Sequence, residues 1–266
     1  MKNSESIRLQ NVEESSTLAM AALAREYKSK GVDVISLSLG EPDFKTPDHI
    51  CEGAKKSIDS GKFFSYPPVP GYLDLREAIA EKFKNENNLN YSSNEIIVSN
   101  GVKHSITNVM FSILNPGDEV IVFAPFWVSY SAIITLADGI PKYINTTIKN
   151  DFKPTSEQLK NAISKKTKAI IFSSPCNPTG TVFTKNDLES YRNILIDHPE
   201  IIIISDEIYE HINFTDEHVS IGSLESMNNR TITLNGFSKG FAMTGWRLGY
   251  IGAPLEIAKS INKMQG

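Results

Sequence analysis

Asn235-Gly236-Phe237-Ser238-Lys239-Gly240-Phe241-Ala242-Met243-Thr244-Gly245-Trp246-Arg247-Leu248-Gly249 follows the β-branched and aliphatic run 231–234. It places a lysine at what reads as a strand's carboxyl end, with a hydroxyl one residue before it and an arginine eight residues after. In a closed site a lysine pKa falls from its ordinary value of about 10.4, and the free amine can then form an imine with an aldehyde. Taken alone, Lys239 reads as a surface lysine beside a packed Trp246. Its company reverses that. Working back from it, short aliphatic strands at 96–98, 120–123, 169–172, 201–204 and 231–234 alternate with helical stretches. This rhythm predicts an α/β fold with a mostly parallel sheet covered by helices on both faces. A further strand at 250–253 leads into a helix that contains Gly266. Gly, Pro, Ser and Asn cluster after the strands, at 99–101, 124–125, 173–180, 205–206 and 235–236. In open α/β sheets that carboxyl edge is where ligands bind.

Upstream of the rhythm, apolar residues at helical spacing predict a helix over 17–27, followed by a short strand at 32–35 that Gly40-Glu41-Pro42-Asp43-Phe44 breaks. Helices are expected from Pro47–Asp48 to about 58 and over 71–83, joined by an aromatic, proline-rich loop at 63–70.

Composition narrows the function. The 266 residues carry 27 basic and 31 acidic side chains, a net charge of −4, so the basic excess usual for nucleic-acid binding is absent. No purely aliphatic run exceeds the length of Ile201 to Ile204, which falls far short of the roughly 20 apolar residues of a membrane span, and the polar opening 1–10 lacks a signal-peptide core. A cytoplasmic protein with no nucleic-acid or membrane partner is expected. Cys51 and Cys176 stand far apart, and none of the five histidines, His104 and His211 included, has metal-ligand spacing, so neither a disulfide framework nor a metal site is expected.

The segment SKGFAMTGWRLG, with further motifs in matching order, resembles the class I aminotransferases, the fold type I enzymes that use pyridoxal 5′-phosphate, and is most similar to their bacterial aspartate branch. The resemblance implies a seven-stranded, mostly parallel sheet between helices. It divides the chain into a large cofactor domain at 46–266 and an arm with part of a small domain at 1–45. It also implies that Lys239 binds the cofactor covalently and acts catalytically. Asp206, in Ser205-Asp206-Glu207-Ile208-Tyr209, pairs with the pyridine nitrogen, whose protonated state drains electrons from the substrate's α-carbon. Tyr209 and Asn177 meet the phenolic oxygen, and Trp127 stacks on the ring.

The cofactor's phosphate is assigned to the turn Gly101-Val102-Lys103, which opens a helix, together with Ser238 and Arg247. Tyr66 reaches the phosphate of a neighbouring subunit, which implies a homodimer. Gly40, Trp127 and Asn177 face the substrate, and Ser15 and Lys103 align with residues that receive a distal carboxylate. Read singly, several of these residues have plainer explanations: Asp206 as a helix cap, Asn177-Pro178 as a turn, Trp127 and Tyr209 as core rings.

The family pattern continues past Gly266 with the rest of the small domain and an arginine that clamps the substrate's α-carboxylate. The expectation is therefore a chain that encodes the cofactor site without that clamp, with turnover and folding impaired. The expected reaction is reversible amino transfer between an amino acid, aspartate or a relative, and 2-oxoglutarate. β-Elimination on the same cofactor and a catalytically silent cofactor-binding domain remain as alternatives.

Overall fold

The computed structural model describes residues 4–215 and 217–266. Residues 1–3 of the expected arm lie outside the described residues. The helices, in chain order, are α1 (Ile7–Gln10), α2 (Ser16–Ser29), α3 (Asp48–Asp59), α4 (Leu73–Asn87), α5 (Val102–Ile113), α6 (Ser129–Leu136), α7 (Ser156–Ala162), α8 (Lys185–Leu195) and α9 (Leu255–Gln265). The strands are β1 (Ile96–Ser99), β2 (Glu119–Ala124), β3 (Ile140–Asn145), β4 (Thr167–Ser173), β5 (Ile202–Asp206), β6 (Thr231–Gly236) and β7 (Gly249–Gly252). They form one seven-stranded sheet in the order β1-β7-β6-β5-β4-β2-β3. Only β7 runs against its neighbours, antiparallel to both β1 and β6.

Alternation along each strand splits the core in two, because successive side chains leave opposite faces of a sheet. Val120, Val122, Ile171 and Ile204 pack with Ile106, Val109 and Met110 of α5, Ile133 and Ile134 of α6, and Ile261 of α9. Their neighbours Ile121, Phe123, Ile170 and Ile203 pack on the other side with Leu159 of α7 and Leu188, Tyr191 and Leu195 of α8. A third cluster puts Ile79 and Phe83 of α4 on Ile96, Val98 and Tyr250. Both faces are therefore covered, as a parallel sheet requires.

Several sequence expectations need correction. The segment 32–35 is not a strand; Ile35 is 85% exposed, and among the described residues no strand pairs with it to complete a ladder. The helix expected over 71–83 begins at Leu73 and runs to Asn87. Gly71 has φ +97°, which no helix admits, and the left-handed Asn88 (φ 54°) ends it. Strand β3 was not foreseen. It is an edge strand with one buried residue and a proline, so it lacks the aliphatic signature of a central strand.

The antiparallel β7 matters most for the site. In register Ser99 and Gly236 both face Gly249, so the carboxyl ends of β1 and β6 lie at the same edge as the beginning of β7. Loops after β1 and β6 and the loop before β7 thus converge, though they lie far apart in sequence.

Candidate active site

A cavity of about 690 Å³ opens at that carboxyl edge. Val102 and Lys103 reach it from β1, Trp127 from β2, Asn177 from β4, Asp206 and Tyr209 from β5, Ser238 and Lys239 from β6, and Arg247 from the approach to β7. Ser15 and Gly40 come from the N-terminal segment. Every residue assigned from the sequence to the chain's own site lines this cavity except Gly101, whose place beside it is set by Arg247.

At its floor Asp206 is buried, 3% exposed. Its Oδ2 accepts the Tyr130 hydroxyl at 2.6 Å and its Oδ1 accepts the Ile208 backbone N–H at 3.3 Å. Burial pushes the carboxyl up to about 6; the two hydrogen bonds oppose this, nearby Glu207 adds to it, and Lys239 lowers it. Lys239 Nζ donates to the Gly40 carbonyl and sits 5.7 Å from the centroid of the Tyr209 ring. Burial depresses its ammonium; Glu41 opposes that shift, Arg247 adds to it and Asp206 opposes it. Tyr209 is raised to about 12, chiefly by burial, with the Asp206 charge adding to it. Its hydroxyl accepts from Asn177 Nδ2 at 3.5 Å, so the two residues assigned to one oxygen are neighbours.

At the rim Gly101 (φ +82°) caps α5, whose opening N–H groups at Val102 and Lys103 have no intrahelical acceptor and concentrate positive potential. A Cβ on Gly101 would meet a terminal guanidinium nitrogen of Arg247 at 2.4 Å. Arg247 itself has φ 55° and donates to the Thr244 carbonyl at 2.8 Å. The buried Ser238 immediately precedes Lys239 in sequence and lines the same cavity. Lys103 Nζ stands 5.0 Å over the Trp127 ring; partial burial and then Arg247 depress its ammonium. Ser15 Oγ accepts from Leu18 N–H as the cap of α2. The Gly40 carbonyl, rather than its amide, is the group engaged, by Lys239. Tyr66 is 99% exposed and lies outside its own chain's cavity.

Two features were missed in the sequence. One is Tyr130, to which no motif in the sequence assigns a role. The other is the buried cluster after Asp206: Glu207 accepts from Ser220 and meets His218 Nε2 at 3.0 Å, while Glu210 accepts from Lys82, Asn87 and Asn235. The ligand atoms of Glu207, Glu210 and His218 are close enough to hold a cation, yet the Lys82 ammonium already supplies positive charge there.

The sequence model for "Aminotransferase class I and II" matches residues 32–266. The chain belongs to this aminotransferase family. An aspartate aminotransferase from Bacillus sp. (strain YM-2) is 45% identical over 266 residues, covering 99% of this chain and 67% of that protein. A probable aspartate/prephenate aminotransferase from Rhizobium leguminosarum bv. phaseoli is 43% identical, covering 97% of this chain and 65% of that protein. Among solved structures, the Thermus thermophilus aspartate aminotransferase with maleate superposes with a TM-score of 0.95 at 41% identity, covering 99% of this chain and 68% of that one. The aminotransferase chain thus spans about two thirds of the length of such relatives.

Class I and II aminotransferases are pyridoxal-phosphate enzymes, and this aminotransferase's donor set fits the group. It offers an amine of depressed basicity, a buried carboxylate, a phenol beside an amide, and a helix N-terminus beside an arginine. A cradle that a Cβ would fill suits an anion that must approach backbone closely.

Proposed function

We propose that the chain carries the cofactor-binding part of a pyridoxal-phosphate-dependent aminotransferase acting on aspartate or a related amino acid, with 2-oxoglutarate as acceptor. The observation that carries the reading is the convergence of Lys239, Asp206 and Arg247 on one cavity from three separate strands. On this reading 46–266 is the cofactor domain and 1–45 an arm with part of a small domain.

Bound pyridoxal phosphate supplies an aldehyde that condenses with amines and a ring that accepts electron density from the substrate's α-carbon. Asp206 holds the ring nitrogen protonated. Tyr209 and Asn177 share the phenolic oxygen, and Trp127 orients the ring by stacking. Gly101, Val102, Lys103, Ser238 and Arg247 hold the phosphate through backbone N–H groups, a hydroxyl and a guanidinium. Lys239 Nζ, as a free amine, would remove the proton from the substrate's Cα and return it as the acid of the next step. The depressed basicity of its ammonium favours the free amine that this duty needs.

Supporting a dicarboxylic substrate, Ser15 and Lys103 line the same cavity as Lys239 and can meet a second carboxylate. Gly40, Trp127 and Asn177 border the place of the α-carboxylate. Supporting a homodimer, Tyr66 projects fully into solvent together with Phe64, and its phenol would serve the partner's phosphate.

Turnover with aspartate and 2-oxoglutarate tests the reading: oxaloacetate and glutamate should form slowly, for want of the clamp, but in equal amounts and with ping-pong kinetics. Release of pyruvate and ammonia from a β-substituted amino acid, without amino transfer, would replace it with β-elimination.

A further inference from the structure

Tyr130 lies at the start of α6, 1% exposed, with Trp127 edge-on at 5.7 Å and Phe126 stacked at 6.5 Å. Its hydroxyl meets Asp206 Oδ2 at 2.6 Å. An ionised carboxylate is an acceptor only, so the phenol must be the donor; the nearby Ser173 hydroxyl opposes the upward push on that phenol from burial and from the Asp206 charge. Ser173 Oγ in turn accepts the Asn177 backbone N–H at 3.4 Å.

Resting on the reading above, we propose that Tyr130 is a positioning residue: its phenol fixes the Asp206 carboxylate in its ionised form, and its ring ties that carboxylate to Trp127. Within reach, the Ile208 N–H is the only other donor to Asp206 among the described residues, and at 3.3 Å it is the longer bond. The remaining charged or titratable groups facing Asp206 are Glu207 and Tyr209 on its own segment, Lys239 after β6, and, through Tyr130, Cys176 after β4. A buried carboxylate deprived of its short donor takes up a proton more readily. A neutral Asp206 could no longer hold the pyridine nitrogen protonated.

The test compares wild type with Tyr130→Phe, which keeps the ring and removes the hydroxyl, in two measurements over about pH 5 to pH 8.5. The first is urea unfolding of cofactor-free protein. In acid, where Asp206 is neutral in both proteins, the two should differ little. The gap should widen as pH rises and the carboxylate ionises without its donor. The second is the dissociation constant of pyridoxal phosphate by equilibrium dialysis. Its acid limb should move to higher pH by about one unit or more in the variant, the scale of a charged hydrogen bond.

A gap that stays constant with pH in unfolding, together with superimposable acid limbs, would reduce Tyr130 to packing and overturn the proposal. Wild type that takes up no cofactor would instead overturn the functional reading, and the unfolding comparison would still report on the Tyr130–Asp206 coupling. Should Tyr130→Phe fail to fold, fluorotyrosine placed at 130, a stronger donor, must move the acid limb the other way. An unmoved limb would count against the proposal.

Discussion

Gly101 and Arg247 lie 146 residues apart, yet a single added carbon on the glycine would stand 2.4 Å from the arginine's guanidinium nitrogen. The contact exists because β7 runs antiparallel between β1 and β6, which brings the end of β1 and the approach to β7 to one edge. Gly101 also holds φ +82°, a conformation costly for residues with a Cβ. Gly101→Ala should therefore displace Arg247 and disturb the first turn of α5. We expect stability to fall by about 1–3 kcal/mol, the scale of local backbone strain, and cofactor affinity to fall at least tenfold. Urea unfolding and equilibrium dialysis measure the two effects. Unchanged affinity would remove the phosphate from this turn.

The amine of Lys239 gives a stability signature that needs no cofactor. Burial lowers its pKa in the folded chain below the unfolded value of 10.5, so the unfolded chain binds more protons between the two values. Stability should rise with pH across that window and level off above 10.5. Lys239→Met, which cannot titrate, should lack this rise when cofactor-free unfolding is followed up to about pH 10. Parallel curves for the two proteins would place the amine in solvent.

Lys82 and Glu210 form a buried pair, with side-chain exposures of 16% and 5%. Burial alone would raise the Glu210 carboxyl, but Lys82, Asn87 and His211 together hold it below its ordinary value. Such a depressed acid stabilises the fold above its unfolded pKa, and that stability is lost as pH falls through the folded value. Lys82→Met strands the charge and should cost about 3 kcal/mol at neutral pH, with less loss in acid. Adding Glu210→Gln should recover much of it. A double variant no better than the single one would show that the pair does not govern this site.

Tyr66 provides the test of assembly. At 99% exposure its hydroxyl contributes nothing to its own chain's fold, so Tyr66→Phe should leave monomer stability within about 0.5 kcal/mol. If the phenol serves a partner's phosphate, the variant should bind cofactor more weakly at protein concentrations where dimers form. At dilution to monomer the two proteins should bind alike. Equal affinity at every concentration would exclude this role for Tyr66.

What could be read from the sequence follows from what is local. The central strands β2, β4, β5 and β6 announce themselves as aliphatic runs because both their faces are buried. β3 is an edge strand containing Pro141, and its pattern is that of a loop. The segment 32–35 has the composition of a strand, but strands are made by partners, and it has none among the described residues. The same divide runs through the site. Lys239, Asp206 and Arg247 sit in motifs whose neighbours identify them. Tyr130 does not, because its meaning lies in a hydrogen bond across 76 residues. Nor does the Lys82–Glu210 pair, which joins α4 to the loop after β5 across 128 residues.

The central claim is covalent: the ε-amine of Lys239 is the point of attachment for pyridoxal phosphate. Reduction of the loaded protein with borohydride, followed by proteolysis and mass spectrometry, tests it most directly. We expect a phosphopyridoxyl group on the peptide containing Ser238 and Lys239, and none in Lys239→Ala. A label on a different lysine, or no label in folded protein, would contradict it.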